Sequence, residues 1–151
     1  MNDLKSIARP KIGVRNLQRT IPVNIAELQN FAAKAVRCCL QLRKRKPTDL
    51  DKLREVFIWL ISDRRMTSLH RKFMHQTGPT DVLTFQHGEI FISVETAKRH
   101  ARAYRNPLTS ELCLYIAHGL LHLHGFDDRT EAAARKMKTI QKKIIRTGSR
   151  E

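Results

Sequence analysis

The sequence predicts an α+β fold: one domain over residues 1–151, with a small mixed sheet of four strands and about five helices packed around a central helix. The chain has 151 residues, of which 41% are hydrophobic, and this suits a single compact core. Apolar runs of strand length and longer segments of helical periodicity follow one another without strict alternation, as is typical of α+β proteins. We expect residues 1–9 and 147–151 to be loose.

Four short segments predict strands, because they are rich in β-branched and aromatic residues or alternate apolar with polar residues. They are 11–17, 56–61, 81–85 and 89–92. The second segment is apolar throughout, which predicts a strand buried on both faces of the sheet. The last two are joined by only three residues, so we expect a tight connection between them.

Five longer segments have apolar residues at helical spacing. They run over about 24–43, 64–75, 94–105, 110–124 and 131–146. The candidate N-caps are Asn24, Ser62 or Asp63, Ser93, Thr109 or Ser110, and Thr130. The fourth helix is apolar nearly all round and ends at Gly125, so we expect it to be central and buried.

The chain is strongly basic, with 29 Lys and Arg against 14 Asp and Glu and a net charge of +15. Basic residues concentrate in 34–46, 98–105 and 135–150, and together they predict contact with the phosphate backbone of RNA. On the second group we select Lys98 and Arg102 as candidate RNA contacts. Few aromatic residues interleave with these cations, so base stacking is not predicted. A basic surface that serves solubility alone is the alternative.

The cysteines predict a reducing compartment. The chain has three cysteines, Cys38, Cys39 and Cys113, which is an odd number, and none belongs to a C-x-x-C pair. We therefore expect no disulfide framework. The first twenty residues contain charges throughout and no apolar run, and no segment is apolar enough to span a membrane. We therefore expect a cytoplasmic protein that has no membrane partner.

A pair of histidines on the fourth predicted helix points to a metal site. His118 and His122 are four residues apart, so both imidazoles project from one side of the helix. Gly125 then ends the helix and lets the chain fold back, so that a third ligand can follow within a few residues. Zinc is the default ion, although nickel, cobalt or iron fit such ligands. Gly119 stands where an H-E-x-x-H protease has its glutamate, which argues against a protease. Two histidines satisfied within a buried helix are the alternative.

Three motifs in order resemble one family. Residues 118–128 read H-G-L-L-H-L-H-G-F-D-D, residues 78–85 read G-P-T-D-V-L-T-F, and residues 88–93 read G-E-I-F-I-S. Over about residues 10–145 the chain resembles the YbeY-type rRNA maturation factors, metal-dependent endoribonucleases of bacteria and organelles. The resemblance implies a single α+β domain, one zinc ion held by three histidines, and rRNA and the small ribosomal subunit as partners. It implies a role in 3′-end maturation of small-subunit rRNA and in ribosome quality control.

The chain departs from the family's third ligand. Asp128 stands where the family has histidine, and carboxylate is an acceptable zinc ligand, so we expect His118, His122 and Asp128 to hold the ion. His124 and Asp127 are the rival third ligands.

A second departure concerns contact with RNA. Met74 stands where the family usually has an arginine, and a methionine cannot bind phosphate. Arg71, Lys72 or His75 are the candidate substitutes. With Met74 and Asp128, the chain also fits a ribosome-assembly or adapter protein without catalysis, in which the metal is structural. A zinc hydrolase of small molecules is a third function, which the basic charge does not favour.

The catalytic base is not identified by the sequence. His87 and Glu89 flank the connection between the last two strands and are candidate proton carriers, with an ordinary surface turn as the alternative.

Overall fold

A computed structural model describes residues 9–74 and 80–148. The strands are β1 (Lys11–Asn16), β2 (Glu55–Ile61), β3 (Val82–Phe85) and β4 (Glu89–Ser93), in the sheet order β1-β2-β4-β3. β1, β2 and β4 are mutually parallel, whereas β3 runs antiparallel to β4. The predicted mixed sheet of four strands in one α+β domain is confirmed. β3 forms one edge of the sheet.

Six helices occur in the described residues. They are α1 (Ile25–Gln41), α2 (Asp49–Lys52), α3 (Asp63–Met74), α4 (Val94–Tyr104), α5 (Leu108–Leu123) and α6 (Glu131–Gly148). The five predicted helices are all present, and α2 is an addition. α2 is a single turn, too short to show a periodicity, and a reciprocal capping box between Thr48 and Asp51 stabilises it. No described helix has both the length and the apolar character needed to cross a membrane.

The main core lies between the sheet and the layer of α1, α5 and α6. α5 crosses the sheet closely: a Cβ atom added at Gly119 would lie 2.8 Å from Cγ2 of Ile90 on β4. On the other face, α3 buries Met66 in a smaller cluster with Ile61 and Leu83. α5 is therefore the central buried helix that its composition predicts.

The expectation that β2 is buried on both faces is wrong for one face. Ile58 and Leu60 point into the main core and are fully buried. Phe57 and Trp59 point to the opposite face and remain half-buried. Among the described residues, the cluster on that face is built on Met66 of α3 and covers Ile61 fully but Phe57 and Trp59 only in part.

The predicted helix starts are confirmed at three helices. Asn24 accepts a hydrogen bond from the backbone N–H of Glu27, and Thr130 accepts one from that of Ala133. At α3, the Ser62 hydroxyl accepts from the N–H of Arg65.

One predicted cap is wrong. α5 begins at Leu108 with Pro107 as its N-cap, ahead of the predicted Thr109 or Ser110, because the Pro107 carbonyl accepts hydrogen bonds from the N–H groups of Ser110 and Glu111. Ser93 is the N-cap residue of α4, as predicted, but its hydroxyl does not bond to that helix and donates a hydrogen bond to the Asp63 carboxylate.

The predicted loose ends are corrected in part. α6 continues to Gly148, which is buried against the ring of Phe31, so residues 147 and 148 are ordered parts of the helix. Their packing contact with α1 was not visible in local sequence. Residues 1–8 and 149–151 lie outside the described residues, as does the candidate His75.

Candidate metal centre

The two predicted histidine ligands face one another on α5. Nε2 of His118 lies 2.9 Å from Nε2 of His122. Two nitrogens that share one tetrahedral zinc ion, each about 2 Å from it, would stand roughly 3.3 Å apart. A small opening of the pair therefore accommodates the ion.

Asp128 reaches the same place after a sharp reversal of the chain. Gly125 has φ of 85°, in the left-handed region that glycine tolerates, and the next N–H, that of Phe126, bonds back to the Leu121 carbonyl. One ligand atom each from His118, His122 and Asp128 lies within 4.8 Å of the others. The structure thus brings the three predicted ligands together, and their donor set of two imidazoles and a carboxylate fits zinc.

The two rival third ligands lie differently. His124 is buried, with Nδ1 2.9 Å from the Thr48 hydroxyl oxygen and Nε2 2.7 Å from the Leu42 carbonyl oxygen. Both of its ring nitrogens are thereby engaged away from the histidine pair. Asp127 accepts a hydrogen bond from the backbone N–H of Arg129 through one carboxylate oxygen. Neither joins the cluster of three ligand atoms found among the described residues.

The environment favours the neutral imidazole that a metal requires. Burial lowers the pKa of His118, and the nearby His122 lowers it further. Asp128 and Asp81 act in the opposite direction, but the net pKa is below the ordinary value. A neutral His118 keeps a lone pair available to a cation at neutral pH.

Gln141 on α6 is a site residue that the sequence interpretation missed. Its side-chain amide nitrogen lies 2.6 Å from Nδ1 of His118. A histidine that binds metal through Nε2 carries its proton on Nδ1. A 180° turn of the Gln141 amide exchanges its nitrogen and oxygen and presents the carbonyl oxygen to accept that proton. The available signal was a polar residue in line with Met137 and Ile144 on the buried face of an amphipathic helix.

A cavity of about 590 Å³ opens beside the histidine pair. Five consecutive residues, 82–86, line one side, so β3, an edge strand of the sheet that the described residues form, borders the cavity. Further lining residues are His122, Leu123, Gly125, Phe126, Asp127 and the exposed Arg129. An extended chain can therefore lie against a strand edge and a cation while it reaches the histidines.

His87 and Glu89 lie apart from this site. Their side chains form a pair at 2.9 Å, and His87 is 67% exposed. Glu89 shares a sheet face with Phe91, which packs in the α3 cluster, whereas α5 packs on the opposite face at Ile90. Within the described residues, neither candidate proton carrier lines the cavity.

The four candidate RNA contacts lie on two other helices. Arg71 and Lys72 are exposed near the end of α3, where the neighbouring Phe73 ring lies 5.3 Å from that of the cavity residue Phe85. Lys98 and Arg102 lie on α4, which packs against α5 and α3. Their contact with RNA stays a prediction.

Comparison with known proteins identifies the family of the chain. Residues 13–148 match the family model described as Endoribonuclease YbeY. The chain belongs to the YbeY family. This match includes every predicted metal ligand and all four strands except the first two residues of β1.

Individual YbeY relatives support the assignment. The Endoribonuclease YbeY of Anaeromyxobacter sp. (strain Fw109-5) is 38% identical over an alignment of 102 residues, and the match covers 61% of this chain and 53% of that protein. That of Myxococcus xanthus (strain DK1622) is 34% identical over an alignment of 104 residues, and the match covers 60% of this chain and 35% of that protein. The match thus spans about half the length of the first relative and about a third of the second.

A solved structure has the same fold. The solution structure of TM1509 from Thermotoga maritima matches with a TM-score of 0.64 and 25% identity. The match covers 91% of this chain and 88% of that chain.

Proposed function

We propose that this protein is a metal-dependent endoribonuclease that hydrolyses phosphodiester bonds in single-stranded rRNA. Its proposed task is 3′-end maturation of small-subunit rRNA and ribosome quality control, with rRNA and the small ribosomal subunit as partners. The observation that carries the proposal is the convergence of His118, His122 and Asp128 within 4.8 Å beside an open cavity. Membership of a family described as endoribonucleases supplies the reaction class.

Zinc is the proposed ion, and it would supply Lewis acidity to a phosphoryl oxygen. The protein's own groups would position the RNA. Arg129, which lines the cavity, suits a phosphate, because a planar guanidinium donates two parallel hydrogen bonds. The edge of β3 offers backbone donors and acceptors to an extended chain.

The test compares wild type with His122→Ala, purified side by side, on an oligoribonucleotide that reproduces the 3′ end of small-subunit rRNA. Cleavage by wild type alone, together with loss of bound zinc from the variant, supports the proposal. Equal cleavage by both proteins means that the metal site is not the catalytic centre. Cleavage by neither, with retained co-sedimentation with small subunits, favours the non-catalytic assembly or adapter protein.

We also propose a cytoplasmic location. Cys38, Cys39 and Cys113 are all free thiols, as expected of a reducing compartment. Burial raises the pKa of both Cys39 and Cys113 to about 12, so these two thiols are poor nucleophiles.

A further inference from the structure

A run of four cations links α1 to α2. We call residues 43–47, Arg-Lys-Arg-Lys-Pro, the basic loop, and all five are exposed. Its two ends are held by one buried side chain: His124 contacts the Leu42 carbonyl just before the loop and the Thr48 hydroxyl just after it. Since His124 directly follows α5, the loop is fixed beside the helix that carries the metal ligands.

The basic loop lines a groove that adjoins the metal cavity. This groove has a volume of about 700 Å³. It shares Asp49, Leu123, Gly125 and Phe126 with the cavity beside the histidine pair. The two depressions are therefore neighbours, with Phe126 on their common boundary.

Cations converge on that boundary. Nζ of Lys44 lies 3.9 Å from the centre of the Phe126 ring, and Nζ of Lys136 on α6 lies 5.9 Å from it. Such cation–π contacts restrict a long side chain without neutralising its charge. The ion pairs found among the described residues are His87–Glu89 and Arg99–Asp63. The cations of the basic loop therefore form no ion pair with a described carboxylate.

We propose that the basic loop and Lys136 bind the phosphates of an RNA strand on its way to or from the metal cavity. This inference rests on the proposed function and adds a surface to it that differs from the α3 and α4 candidates. The partner is a single-stranded RNA backbone, because five cations and one aromatic ring line the groove. The loop also provides phosphate-binding charge in a chain that has Met74 in place of an arginine.

The test removes three charges from the loop and leaves the Lys44–Phe126 contact intact. The triple variant Arg43→Gln, Arg45→Gln and Lys46→Gln is compared with a control of equal charge loss elsewhere on the surface. The control substitutions are Arg15→Gln, Arg19→Gln and Arg54→Gln, at exposed positions that lie outside the three basic groups and line neither depression. Zinc content and melting temperature check that both variants are folded and metal-loaded.

The readout is binding of a fluorescent single-stranded oligoribonucleotide, followed by anisotropy over a salt series, with its integrity checked by gel. Each lost phosphate contact lowers the slope of log K against log salt by about 0.7, so the loop variant should lose about 2 from the slope. The control variant should keep the wild-type slope. In cleavage, the loop variant should show a raised KM with kcat retained.

Three outcomes overturn the inference. Equal losses in the loop variant and the control would mean that only the overall charge matters. Unchanged RNA binding by the loop variant would mean that the loop does not touch the strand. Loss of binding to poly-glutamate without loss of RNA binding would assign the loop to an acidic protein. Failure of wild type to bind or cleave RNA would instead refute the proposed function, which keeps the two failures distinguishable.

Discussion

Gln141 offers a sharp test of how the metal site is built, because it acts on the ion only through His118. Its amide lies 2.6 Å from Nδ1 of that ligand, and its side chain is 5% exposed. Replacement by methionine keeps the length and approximate volume of the side chain but removes the acceptor. The Nδ1 proton of a metal-bound His118 would then lack its partner.

The expected loss follows from that single contact. Removal of the hydrogen-bond partner of a metal-binding histidine lowers metal affinity by about 10- to 100-fold. A tenfold change corresponds to about 1.4 kcal/mol, so the loss is about 1.4–2.8 kcal/mol. Gln141→Glu restores an acceptor at the same position and should recover most of the affinity.

Zinc affinity is measured by competition with a chromophoric chelator, with unfolding of each variant followed in parallel. The expected order is wild type close to Gln141→Glu, with Gln141→Met well below. Wild-type affinity in Gln141→Met would refute the idea that this amide orients His118. Equal losses in both variants would show that Gln141 matters only for packing of α6.

Three further predictions concern stability and catalysis. Gly119→Ala should lower the free energy of unfolding by about 1–3 kcal/mol in a urea titration, because the added Cβ would lie 2.8 Å from Cγ2 of Ile90. An unchanged urea midpoint would contradict the close approach of α5 to β4. Burial by itself raises the pKa of Asp63, but hydrogen bonds led by that from Arg99 lower it below its usual 3.8. This carboxylate therefore stabilises the fold above about pH 4, and the contribution is lost as the pH falls through the lowered pKa. Asp63→Asn should lower the free energy of unfolding by about 1–3 kcal/mol at pH 7, and by progressively less as the pH falls below about 4. A loss of stability that is independent of pH would refute the charge-based account. His87→Ala should leave the rate of RNA cleavage unchanged, since the side chain lies outside the metal cavity, and a large fall in kcat would make it catalytic after all.

Most helices and strands could be predicted from the sequence, because local patterns determine them. Strand-length apolar runs and helical periodicity depend on near neighbours, and the four-residue spacing of His118 and His122 needs only a helix to bring them together. The role of His124 could not be read in this way. Its partners, Thr48 and the Leu42 carbonyl, are 76 and 82 residues away along the chain.

The same limit applies to other long-range contacts. Gln141 contacts His118 only because α6 packs on α5. The Ser93 hydroxyl bonds to Asp63 and not to its own helix because β4 ends beside α3. The half-burial of Trp59 likewise depends on how much of a sheet face one helix covers. Such features follow from assembled tertiary structure, which composition and periodicity do not encode.

The attachment of the basic loop has a consequence for how this protein can change over evolution. His124 contacts the Leu42 carbonyl before the loop and the Thr48 hydroxyl after it. It makes no hydrogen bond to the four cationic side chains between them. Substitutions at positions 43–46 can therefore alter the charge of the loop without releasing its ends. Affinity for a polyanion is in this way adjustable by drift at four surface positions, while the metal ligands and their geometry stay constant.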